Sequence, residues 1–425
     1  MTTPMMTTSR ISTSADICPL IKHPPVSIIR ITYLSFSLPY SPMKTLSDFD
    51  FRGKRTFVRV DINSPFDEKT GKIEKSPRVS AHAKTLRELA DKGARVIVLA
   101  HQGRKGDADC VSLKAHAGYL EKEIGKPVLF INDVCGERAK KAINGLREGE
   151  ILLLENVRFL EDEKEITSLL PLCDVFVMDG FSVSHRAQAS VVGFSSKPAF
   201  AGRVMQEEME ALGKVKHPSH PCVFILGGAK PEDSLAMMGH WLKEGKMDYA
   251  LCGGVLGSMF LLASGTSIGA GEKYLKEKGY TALLPKAKEL LVKYNKKIQM
   301  PIDVAYAEKG KRKECPAGKL PASASIGDIG KKTLAEWKGI LKNARTVVIN
   351  GPVGIYEEKS FEAGTREILK AIAASTSFSL AGGGHTISAI DKFGIGKAKI
   401  SYISTAGKAL IAFLSGEKLP GVEML

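Results

Sequence analysis

Four short apolar runs in the sequence each end on residues able to grip an anion. TFVRVDIN closes with Arg59, Asp61 and Asn63, and VIVLAHQGR with His101 and Arg104. ILLLENVR closes with Asn156 and Arg158, and VFVMDGFSVSHR with Asp179, His185 and Arg186. Arg78, in KSPRVSAH, falls at an expected helix start. Guanidinium forks match the geometry of carboxylates and phosphates. One basic residue after a strand is surface decoration. Four such strand ends converging on one edge describe a site for a small, multiply anionic molecule.

A second set of strand ends carries glycine. CVFILGGAK gives Gly227, Gly228 and Lys230, and YALCGGVLGS gives Gly253, Gly254 and Gly257. TVVINGPVGIYEE gives Gly351, Pro352 and Gly354, and FSLAGGGHT gives Gly382, Gly383 and Gly384 with His385 next. Glycine lets main-chain N–H groups approach a ligand, and a helix N-terminus beyond it favours phosphate. Four such turns in one half suggest a nucleotide site. There is no G-x-x-x-x-G-K-[ST], and no G-x-G-x-x-G follows a strand, so the P-loop and dinucleotide readings are poor. GTSIG at 265–269 matches a hydrolase elbow, but it follows a helical pattern rather than a strand.

These positions need rigid carriers. β-branched runs alternate with helical patterns along the chain, the signature of βαβ units and parallel sheets. In open parallel sheets ligands sit beyond the carboxyl ends of the strands. Between the two sets lies RVMQEEMEALGKVKHPSHP, where Val204, Met205, Met209, Leu212 and Val215 recur at helical spacing. One helix joining two sheets is a natural hinge. The 425 residues fit two domains, and 44% hydrophobic with 25% charged residues is ordinary for a globular chain. No apolar run approaches the roughly 20 residues that span a bilayer, so no membrane contact is expected. The seven cysteines show no metal-ligand spacing and suggest reduced thiols in the cytoplasm. The net charge of +15 is dispersed in short runs such as KGKRKE, so no nucleic-acid partner is expected. His185 and Asp179 could equally serve the main chain, Asp303 a turn, and Trp241 and Trp337 the packing of helices.

Residues 1–42 are rich in Ser, Thr and Pro, with Asp16 their one acidic residue. They read as a disordered or non-native extension upstream of Met43. Their removal is expected to leave turnover unchanged; a large loss would place working residues there.

One half for a small anion and one for a nucleotide imply phosphoryl transfer across a cleft, with hinge closure bringing the reactants together and excluding water. No general base stands out. An alcohol acceptor needs one, whereas a carboxylate, with a pKa near 3.5–4.5, is already ionised. Two other classes stay open: a dehydrogenase acting on sugar or acid phosphates, and a non-catalytic basic binding protein.

The motifs VRVDIN, HQGR, LENVRF, SHRAQAS, LGGAK, CGGVLGSMF, MPIDV, SIGDIGKKT, NGPVGIYE, GGGHT and ISTAG, in this order, resemble phosphoglycerate kinases, and more those of the archaeal branch. The resemblance runs from Met43 to the C-terminus. It implies an α/β fold of two Rossmann-like domains with parallel sheets joined by a hinge helix. The bounds expected are a phosphoglycerate-binding domain at 43–202, an interdomain helix at 203–217, a nucleotide-binding domain at 218–405, and a segment at 406–425 returning to the first domain. It implies ATP/ADP with Mg²⁺, and 3-phosphoglycerate and 1,3-bisphosphoglycerate as partners, in a monomer or homodimer. By matching motif, Asp61, Asn63, Arg78, His101, Arg104, Arg158 and Arg186 would hold the phosphoglycerate, and Arg78 and Lys230 would flank the transferring group. Gly228, Lys230, Gly253, Gly254 and Pro352 would line the nucleotide site, with Glu357 on the ribose and Gly383 and Gly384 aiming amides at phosphates. No protein residue is assigned to the metal. Three positions depart from the family pattern: Ser234 stands for a second lysine, His385 for an aspartate, and Lys408 for a glycine. Lys408 would then compensate for Ser234, and His385 would bond a phosphate or cap its helix.

Overall fold

The strand Arg55–Arg59 lies at the middle of a six-stranded parallel sheet. In order the sheet runs Val128–Phe130, Ile151–Leu153, Arg95–Leu99, Arg55–Arg59, Val175–Met178 and Ala199–Ala201. All its pairings are parallel. Its central strands are buried on both faces, which is why RTFVR, RVIVL and VFVM are apolar runs rather than alternations. The computed structural model describes residues 43–425, so the expected extension at 1–42 lies outside the described residues.

A second six-stranded sheet repeats the plan. Its order is Ile298–Gln299, Tyr249–Cys252, Cys222–Leu226, Thr346–Asn350, Phe378–Gly382 and Tyr402–Ile403, again all parallel. The α/β class with two parallel sheets is thus as expected. A small antiparallel sheet of Asp303–Glu308, Lys311–Pro316 and Asp328–Ile329 sits beside it.

In each sheet the chain first builds outward on one side and then returns to the other. The reversals fall beside Arg55–Arg59 and between Cys222–Leu226 and Thr346–Asn350. The carboxyl ends of strands at such a reversal diverge and leave a crevice. These are the strand ends that carry the arginines and the glycines.

Helix Arg203–Lys216 connects the sheets and buries Met205, Glu208, Ala211, Leu212 and Val215. After Tyr402–Ile403 the chain forms the loop 404–407 and helix Lys408–Leu414, where Trp241 donates its indole N–H to the Leu414 carbonyl. The turn Pro420–Glu423 then packs on the first half, with Gly421 N–H bonded to the Ser184 carbonyl at 2.9 Å. A Cβ on Gly421 would stand 2.9 Å from the Ser184 backbone, so this seat requires glycine. One apolar cluster runs from Phe176 and Val191 of the first half through Leu212 of the connecting helix to Phe224, Trp241 and Leu410. Trp337 is buried in a separate cluster on the far face of the second sheet. Among the described residues no helix is long and apolar enough to cross a membrane.

Candidate active site

Pro77 sets the first turn of helix Pro77–Asp91, and Ser76 caps it by accepting from the Arg78 N–H at 3.2 Å. That start holds Arg78 over the end of the central strand. Its Nη1 donates to Asp61 Oδ2 at 2.6 Å, and its Nη2 donates to the Thr405 carbonyl at 3.0 Å. Arg78 therefore ties the first half to the loop that follows the second sheet. Ser182 donates to the same Asp61 oxygen. Burial pushes the Asp61 carboxyl up, but the Arg78 guanidinium and the Ser182 hydroxyl outweigh it and hold the group well below the usual carboxylate range.

Beneath this pair lies Arg59, 1% exposed. It donates to the carbonyls of Val60 at 2.6 Å and Leu99 at 3.3 Å, and to His101 Nδ1 at 3.3 Å. Burial, with Arg158 and Arg186 nearby, pulls its pKa down to about 10, so it stays charged at neutral pH. Burial and Arg59 together push His101 down to about 3, leaving a neutral ring whose Nδ1 accepts. The sequence grouped Arg59 with the anion-gripping strand ends; instead it is buried outside the cavity lining and bonds main-chain carbonyls, and nothing in the motif marks a strand arginine as a buried charge.

Asp61, Asn63, Arg78, His101, Arg104 and Arg186 line one cavity of ≈ 510 Å³, which His185 and Lys408 also reach. Asn63 Oδ1 accepts from the Gly103 N–H at 2.8 Å, fixing the HQGR turn. Arg158 is not part of that lining, but its charge acts on His101 and Arg186. His185 Nε2 accepts from Arg186 Nε at 3.3 Å, an orienting contact. Asp179 turns away, taking the N–H groups of Val204 and Met205 at 2.9 and 3.4 Å. Asp303 likewise caps helix Lys331–Asn343 through the N–H groups of Lys332 and Thr333.

A second cavity of ≈ 360 Å³ lies at the glycine ends, lined by Gly228, Gly254, Pro352, Glu357 and His385. Gly351 has φ +90°, and a Cβ on Gly227 would meet the Pro352 carbonyl at 2.1 Å. The two strand-end turns interlock so tightly that side chains are excluded, and Gly228 N–H bonds the Pro352 carbonyl at 2.8 Å. Val255, Tyr274, Leu275, Ile326 and Val353 complete apolar walls that the sequence did not reveal. Gly253 starts helix Gly254–Ala263 against Val353 and lies outside the lining. Gly383 and Gly384 open helix Gly384–Lys392 beside the cavity without lining it. Residues 265–269 follow helix Gly254–Ala263, so the hydrolase-elbow pattern has no strand before it.

The helix cap expected of His385 is not formed. Gly383 occupies that position, and His385 Nδ1 lies 3.5 Å from Glu357 Oε1, both side chains exposed. Ser234, at the place of the family's second lysine, is 1% exposed and packed inside helix Pro231–Lys243. Lys230 is exposed at the N-cap of that helix and does not line either of these cavities, yet its charge and that of Lys408 both act on Asp233. Lys408→Ala is expected to lower turnover roughly two- to fivefold, the scale of a solvent-screened charge. Steady-state rates with both substrates check it, and unchanged ATP affinity and turnover would remove the compensating role.

Among the described residues no cluster of three His, Cys, Asp or Glu side chains could hold a metal ion. The arrangement thus offers a basic basin and a glycine-walled cavity, linked where Arg78 meets Thr405. The phosphoglycerate kinase family model matches residues 46–417. The chain is 43% identical over 404 residues to a phosphoglycerate kinase of Methanococcus maripaludis, covering 90% of this chain and 97% of that one. It is 41% identical over 396 residues to that of Methanothermus fervidus, covering 90% and 96%. The crystal structure of phosphoglycerate kinase from Pyrococcus horikoshii OT3 superposes with a TM-score of 0.80 at 37% identity, covering 90% of this chain and 98% of that one.

Proposed function

The chain belongs to the phosphoglycerate kinase family, and from that premise we propose how its two cavities divide the family's reaction. The reaction is reversible phosphoryl transfer between ATP and the carboxylate of 3-phosphoglycerate, giving 1,3-bisphosphoglycerate and ADP in glycolysis and gluconeogenesis. The basin of Asp61, Asn63, Arg78, His101, Arg104, Arg158 and Arg186 holds the phosphoglycerate. The glycine ends of the second sheet hold ATP, with the base against Val255, Leu275, Ile326 and Val353 and the ribose at Glu357. Gly383 and Gly384 turn amides to the phosphates. Arg78 and Lys230 flank the group in transit. The first half, 43–202, then serves as the phosphoglycerate domain, the second, 218–405, as the nucleotide domain, and the helix between them as the hinge.

The observation that carries this reading is the Arg78 contact set. One guanidinium binds a buried carboxylate of the acid-binding half and a carbonyl of the loop leaving the nucleotide half. A carboxylate acceptor needs no base, so these residues supply position and charge neutralisation. Mg²⁺, bound together with the nucleotide, would offset the charge of its phosphates. We place the enzyme in the cytoplasm as a monomer or homodimer, without nucleic-acid or membrane partners. The test is NADH oxidation through glyceraldehyde-phosphate dehydrogenase, supplied with ATP and 3-phosphoglycerate. A rate no higher than that of an Arg78→Ala, Lys230→Ala control would overturn the assignment.

A further inference from the structure

His82 lies on the inner face of helix Pro77–Asp91 and is 3% exposed. Its Nε2 accepts the main-chain N–H of Asp61 at 3.2 Å, and its Nδ1 lies 2.7 Å from Asp179 Oδ2. A main-chain amide can only donate. Nε2 therefore carries no hydrogen, and Nδ1 donates to the carboxylate. The other Asp179 oxygen takes the N–H groups of Val204 and Met205, the first turn of the connecting helix. The ring thus stands between the residue that aims Arg78 and the carboxylate that starts the hinge helix.

The path does not stop there. One turn along the same helix, Glu208 accepts from Tyr402 at 2.7 Å and from Ser404. Thr405, next in the chain, accepts from Arg78 at 3.0 Å. Hydrogen bonds and short stretches of main chain close a circuit from Arg78 through Asp61, His82, Asp179 and Glu208 back to Thr405. A satisfied buried network of this kind fixes the geometry of every member, and breaking one bond disturbs its neighbours.

We propose that His82 is a positioning residue for phosphoglycerate, setting the Asp61–Arg78 pair and coupling it to the connecting helix. The proposal rests on reading the basin as the phosphoglycerate site. His82→Gln keeps an acceptor for the Asp61 N–H and loses the bond to Asp179, whereas His82→Asn keeps the donor to Asp179 and loses Asp61. Each is expected to raise KM for 3-phosphoglycerate on the order of tenfold, with KM for ATP unchanged. His82→Gln combined with Asp179→Asn is expected to cost no more than the larger single change.

Three controls separate the outcomes. A role in stability alone would lower kcat with the folded fraction and leave both KM values at the parent level, and that result overturns the proposal. Arg186→Ala tests the basin itself: if it leaves KM for 3-phosphoglycerate unchanged, the basin reading fails and takes the proposal with it. If Arg186→Ala raises that KM and both His82 variants do not, the role of His82 alone fails. Independently of any variant, ¹⁵N chemical shifts of His82 in the full chain are expected to show the Nδ1–H tautomer. The Nε2–H form would break the circuit as drawn.

Discussion

Arg78→Ala is expected to lower kcat on the order of 10²–10³-fold, the cost of removing one preorganised donor to developing charge. The guanidinium is held at two points, by Asp61 at 2.6 Å and by the Thr405 carbonyl at 3.0 Å. Little reorganisation is then needed when the phosphoryl group passes, and the barrier carries the full effect of its loss. Arg78→Lys keeps the charge and loses the fork, so it is expected to recover only part of the rate. The substitution has a second consequence at Asp61. With Arg78 gone, burial, the largest influence on that carboxyl, meets less opposition. The Asp61 pKa then climbs, and the stability held by the ionised form above the ordinary carboxylate pKa is reduced. Coupled turnover together with thermal unfolding at pH 7 separates the two effects. A kcat within threefold of the parent would remove Arg78 from the transfer step.

The strand-end arginines and glycines could be read from sequence because their placement follows from local pattern. A parallel sheet delivers the residue after each strand to one edge, and Arg104, Arg186, Gly228 and Pro352 need no further information. His82, Arg59 and Glu208 were different. Each is a polar side chain buried among partners distant in the chain: His82 and Asp179 are 97 residues apart, and Glu208 and Ser404 are 196 apart. Helical spacing in RVMQEEMEALGKV marked Met205, Leu212 and Val215 as buried, as found; Glu208 shares that face, three residues after Met205 and four before Leu212, and only its charge hid it among the buried positions. The apolar walls at Tyr274, Ile326 and Val353 come from three separate segments, so no single stretch announces them. His385 shows the opposite failure. Its motif left a phosphate bond or a helix cap open, and the cap is already supplied by a glycine with φ +85° that opens the helix.

Glu208→Gln is expected to make stability less sensitive to pH and to stabilise the protein in mild alkali. The Glu208 carboxyl is 4% exposed on the connecting helix, and burial pushes it up to about 7 although Ser404 and Tyr402 donate to it. Tyr402 is pushed up in turn by burial and by the carboxylate beside it. The folded state therefore prefers the protonated acid, and the sign follows. The contribution of Glu208 is fully present below the ordinary value of 4.5 and is lost as pH rises through about 7. A rise from 4.5 to about 7 is worth on the order of 3 kcal/mol. Glutamine keeps the shape, accepts from Tyr402, donates to Ser404 and never ionises. Its variant should match the parent near pH 4 and exceed it by roughly 1–3 kcal/mol at pH 8.5. Urea unfolding of both proteins at a series of pH values isolates this group, because every other titration is common to the pair and cancels in the difference. Parallel curves from pH 5 to 8.5 would mean that the hydrogen bonds, rather than burial, set the charge on the connecting helix. The circuit through Asp179 and Thr405 would then join an ionised carboxylate at every working pH.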